Sequence, residues 1–226
     1  MKQFGDRKYY DKLEELVDPS RAALLVVNMM NDQCHPNGHY AKKGIDISMH
    51  RAIIPKVKNL VEAARTAGVM VVFLQHSVAL GFINDSPAVL RSKTGLGADP
   101  SKPYEYHNIE GSWGQKIIDE LNAGGKDFFV KYNRTDPFVA TNLEQLLRSH
   151  QRESTILCGN ETQGVVWTTS AGVANRDFYR VLVQDCVAST KLEYHNFILN
   201  LIRDRVKDYD LVDSATLIDI WARMKK

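Results

Sequence analysis

Long apolar runs are missing from this sequence. AALLVV at 22–27 falls far short of the roughly 20 residues a bilayer-spanning helix needs, so a soluble protein that does not engage a membrane is expected. The first residues, MKQFGDRKYYDKLEEL, scatter charges where a signal peptide needs an unbroken apolar core, which predicts a cytoplasmic location. Cysteine is scarce. Three residues, Cys34, Cys158 and Cys186, form an odd set without CxxC spacing, which argues against a disulfide framework and for free thiols in a reducing compartment. Neither sign of charge dominates: 29 Lys and Arg face 27 Asp and Glu, a net +2, with no basic stripe to neutralise phosphates. Nucleic acid is therefore not an expected partner. Internal repeats and low-complexity segments are absent as well.

What remains is a chain of 226 residues, a length that suits one α/β domain with a sizeable core. Short apolar runs alternate with amphipathic helical patterns, the signature of β-α-β units. The expected fold is α/β: a Rossmann-like three-layer sandwich, with a mostly parallel sheet of about six strands and helices on both faces. Residues 1–20 form an N-terminal extension to this single domain, 1–226.

The strands are read as Ala23–Val27, VMVVFLQ ending near Gln75, DFFVK at 127–131, STILC at 154–158, YRVLVQD ending at Asp185, and a last one near 210–212. Between the first two, Ile53, Val57, Leu60, Val61 and Ala64 share a helical face, with Pro55 in the first turn. Ile117, Ile118 and Leu121 mark a short helix closed by Gly124 and Gly125. Thr141 with Glu144, and Thr190 with Glu193, have the spacing of capping boxes. A helix is expected from about Gln163 to Asn175 and another from Ser214. Residues 77–112 carry Gly, Pro and Asp with little periodicity, and a segment of that length reads as a lid.

In open parallel sheets ligands bind beyond the carboxyl ends of the strands, where strand order reverses. The residues there are Asn28 and Asp32, Gln75 and His76, Lys131, and the run from Asn160 through Thr162 to Val165.

Three segments, LLVVNMMNDQCHPNGHYAKKG, VKYNRTDPFVATNLEQLLRS and TILCGNETQGVVWTTSAGVANRDF, resemble in order and spacing the motif regions of the isochorismatase-like cysteine hydrolases. That family includes nicotinamidases, ureidoacrylate and biuret amidohydrolases, and isochorismatases. The resemblance runs from about Arg21 to the last helix. It implies an Asp that deprotonates a Cys, a thiolate that attacks an amide carbon, a Lys beside them, and helix N-terminal N–H groups that hold the oxyanion.

On this chain those positions fall on Asn28, Val165 and Lys131. An amide cannot take a proton from a thiol, and valine has no nucleophilic atom. By analogy with a nucleophile-deletion series in a serine protease, that loss costs on the order of a million-fold in turnover. The isochorismatase branch also lacks the cysteine but uses its Asp as proton donor, so Asn28 departs from that pattern too. The chain holds one residue more between Lys131 and Phe138 than the usual family spacing, which leaves the direction of Lys131 open.

Glu161, just before a helix N-terminus, is a substitute acid or base that pairs with Lys131, or else a solvated helix-start residue. Asp32 is read as a loop cap. His76 is a base or substrate contact; a lone histidine is more often a hydrogen-bonded structural residue. His195 reads as a core-edge residue and Cys158 as a buried small hydrophobe. Gln75, Thr162, Val165, Met30, Trp113 and Phe138 are the expected substrate contacts, the last three as apolar walls for a flat ligand. Nicotinamidases bind a metal through an Asp-x-His pair and a further His; around Gln75, His76 and Ser77 there is no such pair, and neither a metal nor another cofactor is expected.

Two functions follow as expectations. One is a hydrolase of a small polar or aromatic metabolite that activates water by acid–base chemistry without a cysteine nucleophile. The other is an inactive family member that binds a ligand or serves a hetero-oligomer. The resemblance also implies a homodimer or homotetramer.

Overall fold

AALLVV has no polar position, as a strand covered on both faces requires, and it forms the centre of the sheet. The computed structural model describes residues 1–102 and 105–224. Strands β1 (Lys2–Phe4) and β2 (Arg7–Tyr9) pair as an exposed antiparallel hairpin, and the one-turn helix α1 (Leu13–Leu16) follows. Next come β3 (Ala22–Val27), the short helices α2 (Asn31–Cys34) and α3 (His39–Lys42), the long helix α4 (Ser48–Ala67) and β4 (Met70–His76). Helix α5 (Pro87–Gly95) precedes β5 (Phe128–Tyr132), α6 (Leu143–Ser149) and β6 (Ser154–Asn160). A π-turn at Thr162–Val166 leads into α7 (Trp167–Ala174), and β7 (Tyr179–Ala188), α8 (Leu192–Arg205), β8 (Tyr209–Val212) and α9 (Ser214–Met224) complete the order.

The main sheet runs β5-β4-β3-β6-β7-β8, and every neighbouring pair is parallel. One face packs Ile53, Val57 and Leu60 of α4 with Leu217 and Trp221 of α9, while the other packs Leu143 and Leu147 of α6, Val173 of α7 and Ile198 of α8. This is the expected three-layer α/β arrangement. Strand order reverses between β3 and β6, so their carboxyl ends diverge into a crevice. The two backbones approach closely there: Gly159 pairs with Val27 at φ +111°, and a Cβ at Gly159 would collide with the Val27 carbonyl oxygen.

Several local expectations are corrected. Helix α4 starts at Ser48, so Pro55 lies inside it rather than in its first turn. Only a 3-10 turn, Asp119–Leu121, forms where a short helix was expected after Ile117. The Thr141 hydroxyl donates to Pro137 O while Glu144 pairs with Arg176, so no capping box closes there. Thr190 gives its N–H to Glu161, and α8 begins only at Leu192. The described residues of 77–112 hold more regular structure than their composition suggests: Ser86 Oγ accepts the Val89 N–H at 3.4 Å, Pro87 fills the first turn of α5, and Val78 and Ile109 form a bridge. Among the described residues no helix is long and apolar enough to cross a membrane.

Candidate functional site

A cavity of about 400 Å³ lies at the crevice between β3 and β6, large enough for a small organic molecule. Asn28, immediately after β3, and Glu161, immediately after β6, form its floor with His76 from the end of β4 and Val165 from the π-turn. Val89 and Lys93 of helix α5, with Leu96 just beyond its end, line it from above the strand ends.

Asn28 adopts φ 51°, a left-handed conformation that asparagine tolerates. Its backbone is held from both neighbouring strands: its N–H donates to Leu74 O at 3.0 Å and its carbonyl accepts Asn160 Nδ2 at 3.1 Å. Its side-chain Oδ1 accepts the Tyr132 hydroxyl at 2.6 Å and the His76 backbone N–H at 3.3 Å. Burial pushes the Tyr132 phenol well above its usual range, so it stays a neutral donor.

Lys131 is turned away from this cavity. Strand β5 alternates exposed and buried residues, and Lys131 falls on the exposed side with Phe129 while Tyr132 points inward with Val130. Lys131 Nζ donates to Glu110 Oε1 at 2.9 Å, with both side chains about half exposed, so the expected Lys131–Glu161 pair is not formed. Counted from Tyr132 instead of Lys131, the extra residue before Phe138 disappears. Asn28 and Val165 line the crevice, and Tyr132 rather than Lys131 reaches inward to Asn28.

Glu161 is held from three directions. Its Oε1 lies 2.7 Å from Nε2 of His50, a fully buried residue of α4, although the angle is not that of a hydrogen bond. Its Oε2 accepts the Thr190 N–H at 3.0 Å and Gln163 Nε2 at 3.3 Å. The Glu161 side chain keeps 15% of its surface, and it is the one carboxylate lining the cavity among the described residues. The backbone N–H groups of Gly164 and Val166 both donate to the Glu161 carbonyl, at 3.0 and 3.2 Å. Those two donors are thereby occupied and unavailable to an oxyanion.

Two histidines on the wall are kept neutral. Burial lowers His76 to about 4 and His107 well below its usual range. Asn108 Nδ2 lies 3.3 Å from His76 Nδ1, where it donates to an unprotonated nitrogen. Further out, the fully buried carboxylate of Asp85 ties Lys93 at 2.5 Å to Arg134 at 3.4 Å, joining α5 to the loop after β5. His39, His76 and His107 stand near one another, yet among the described residues no group of three His, Cys, Asp or Glu side chains is arranged to hold a metal ion.

Of the residues singled out from sequence, the cavity brings together Asn28, His76, Glu161 and Val165. The others lie elsewhere. Gln75 Nε2 donates to Gln115 O on the far side of β4, and Met30 is core beneath Ile117. Thr162 is fully buried between Ala188 O and His195 Nδ1. Phe138 packs on Phe178 in the core, and Trp113 lies edge-on to His35 on the surface. His50, Tyr132, Arg134 and His107 were missed. Period-two alternation along FFVKY separates Tyr132 from Lys131, and continuing the α4 stripe one turn back from Ile53 and Ile54 reaches His50. Nothing local in the sequence marks His107 or Arg134 as neighbours of the strand ends.

Residues 22–209 match the family model described as the Isochorismatase domain. Among solved structures, the chain is similar to a cysteine hydrolase from Pseudomonas syringae pv. phaseolicola 1448A, with a TM-score of 0.79 and 21% identity over 92% of this chain and 95% of that one. A nicotinamidase/pyrazinamidase from Bacillus subtilis gives 0.69 and 23% over 85% and 100%. An N-carbamoylsarcosine amidase from Thermoplasma acidophilum gives 0.66 and 21% over 86% and 96%.

Proposed function

This chain belongs to the isochorismatase family, and from that membership we propose that it is a hydrolase of a small polar or aromatic metabolite that works without a cysteine nucleophile. The carrying observation is Glu161, the carboxylate on a cavity whose thiol position is Val165. Glu161 accepts a proton from a water molecule in the cavity, and the buried His50 beside Oε1 steadies the carboxylate as its charge changes. One positioned acid–base group supplies about a hundred- to ten-thousand-fold, which suits a bond more activated than a simple amide. His76 and His107, neutral at the wall, are available as hydrogen-bond partners for the substrate. The substrate reaches the site beneath α5, and the working form is a cytoplasmic homodimer or homotetramer.

The test is mass-spectrometric monitoring of a metabolite mixture spiked with esters, ureas and enol ethers, incubated with the parent and with Glu161→Gln. Depletion by the parent alone supports the reading; equal depletion by both refutes it. A second reading, a ligand-binding member without turnover, draws on the replaced positions Asn28, Tyr132 and Val165 together. It predicts ligand-dependent thermal stabilisation and no product.

A further inference from the structure

Asn28 has one side-chain atom committed and one free. The His76 backbone N–H can only donate, so the Asn28 atom that faces it at 3.3 Å is Oδ1, and the Tyr132 hydroxyl donates to that same oxygen at 2.6 Å. The amide cannot be turned over without setting its Nδ2 hydrogens against the His76 N–H. Nδ2 is thus the atom left over, and no described residue supplies it with an acceptor, although Asn28 is 6% exposed and lines the cavity. An amide N–H in that position forfeits free energy unless a ligand or water accepts from it.

An aspartate here would present its second oxygen, an acceptor, to the same space. Asn28 presents a donor, so the polarity of the cavity floor is the opposite of what a carboxylate would give. The surroundings favour the same kind of partner. The Arg134 guanidinium lies on the cavity, and the rings of Tyr40, Tyr106 and His107 supply flat walls, with Tyr106 and His107 centroids 4.0 Å apart.

We propose that Asn28 is a specificity-determining residue whose Nδ2 reads an sp² oxygen, a carbonyl or a carboxylate, on a flat ligand held against these rings. The inference rests on the cavity of the proposed hydrolase but not on turnover.

The test is calorimetric titration of the full chain with three probes of one ring size: benzoate, benzamide and benzylamine. The first two carry the acceptor as an ion and as a neutral carbonyl; the third carries donors alone. Benzoate or benzamide binds the parent more tightly than benzylamine does. Asn28→Asp weakens benzoate at least about tenfold and improves benzylamine, an exchange of preference that a folding defect does not produce. Asn28→Ala weakens the acceptor ligands without improving benzylamine, and decides the matter if Asn28→Asp fails to fold. These affinities are read without turnover, so a failure of the hydrolase reading, seen in the Glu161→Gln depletion assay, is distinguished from a failure here. Unchanged benzoate and benzamide affinity in the Asn28 variants overturns the proposal. So does tighter parent binding of benzylamine, or no binding of either acceptor at millimolar concentration.

Discussion

The Tyr132 hydroxyl donates to Asn28 Oδ1 at 2.6 Å, a buried contact between the ends of β5 and β3 that fills the floor of the crevice with a neutral pair. An ionised Lys–Asp pair in that place would set up a field able to lower the pKa of a nearby thiol. The neutral pair sets up no such field, and Val165 offers no thiol for it to act on. Asn28, Tyr132 and Val165 thus bring neither a charge nor a thiol to this end of the sheet.

Restoring two of the three positions is accordingly insufficient. In the double variant Asn28→Asp/Val165→Cys the new thiol lacks the lysine that the resemblance implies, because Lys131 points to Glu110 outside the cavity. Its alkylation by iodoacetamide at neutral pH is expected to match an ordinary cysteine. Adding Tyr132→Lys is expected to speed alkylation by about tenfold or more by favouring the thiolate. Equal rates in the double and triple variants contradict the assignment of Tyr132 to the inward position.

Acidification is expected to weaken the fold through the cavity histidines. His76 titrates near 4 in the folded chain against 6.5 for a free histidine, and His107 is also lowered, so between those values the unfolded state binds more protons than the native state. Stability therefore falls as pH drops from about 6.5 toward 4, and the two groups are without effect above that window. Denaturant melts across the window check this, and the slope flattens in His76→Gln/His107→Gln. A parent slope that the double variant leaves unchanged refutes the assignment.

Asp85 holds the covering helix to the sheet. Removing its buried carboxylate leaves Lys93, itself 6% exposed, without its counter-charge, and Asp85→Ala is expected to cost about 3–5 kcal/mol. Limited proteolysis is expected to cut first within residues 77–112. Arg134→Gln, which removes the longer and more exposed contact, costs less, on the order of 1 kcal/mol. An Asp85→Ala protein with parental denaturation midpoint and cleavage pattern is incompatible with this latch.

The sheet was readable because its signals are local. Short unbroken apolar runs such as AALLVV, alternating with amphipathic helical patterns, fit doubly covered strands, and a reversal of strand order places the crevice at Asn28 and Glu161. Which face a side chain takes is a matter of one residue in register, and there Lys131 was misplaced while Tyr132 went unnoticed. The capping pattern at Thr190 failed for a different reason. Its N–H is taken by a carboxylate twenty-nine positions away in sequence, Glu161, and no window along the chain reveals such a partner. The same holds for His50, whose importance depends on α4 crossing beneath β6.

In the proposed reaction Glu161 and not Lys131 carries the acid–base chemistry. The most direct measurement is the turnover of one depleted compound by the parent, Lys131→Met and Glu161→Gln under identical conditions. Parental turnover is expected for Lys131→Met, whose side chain is spent on a surface pair, and a loss of about a hundred- to ten-thousand-fold for Glu161→Gln. A large loss in Lys131→Met with Glu161→Gln unaffected would contradict it.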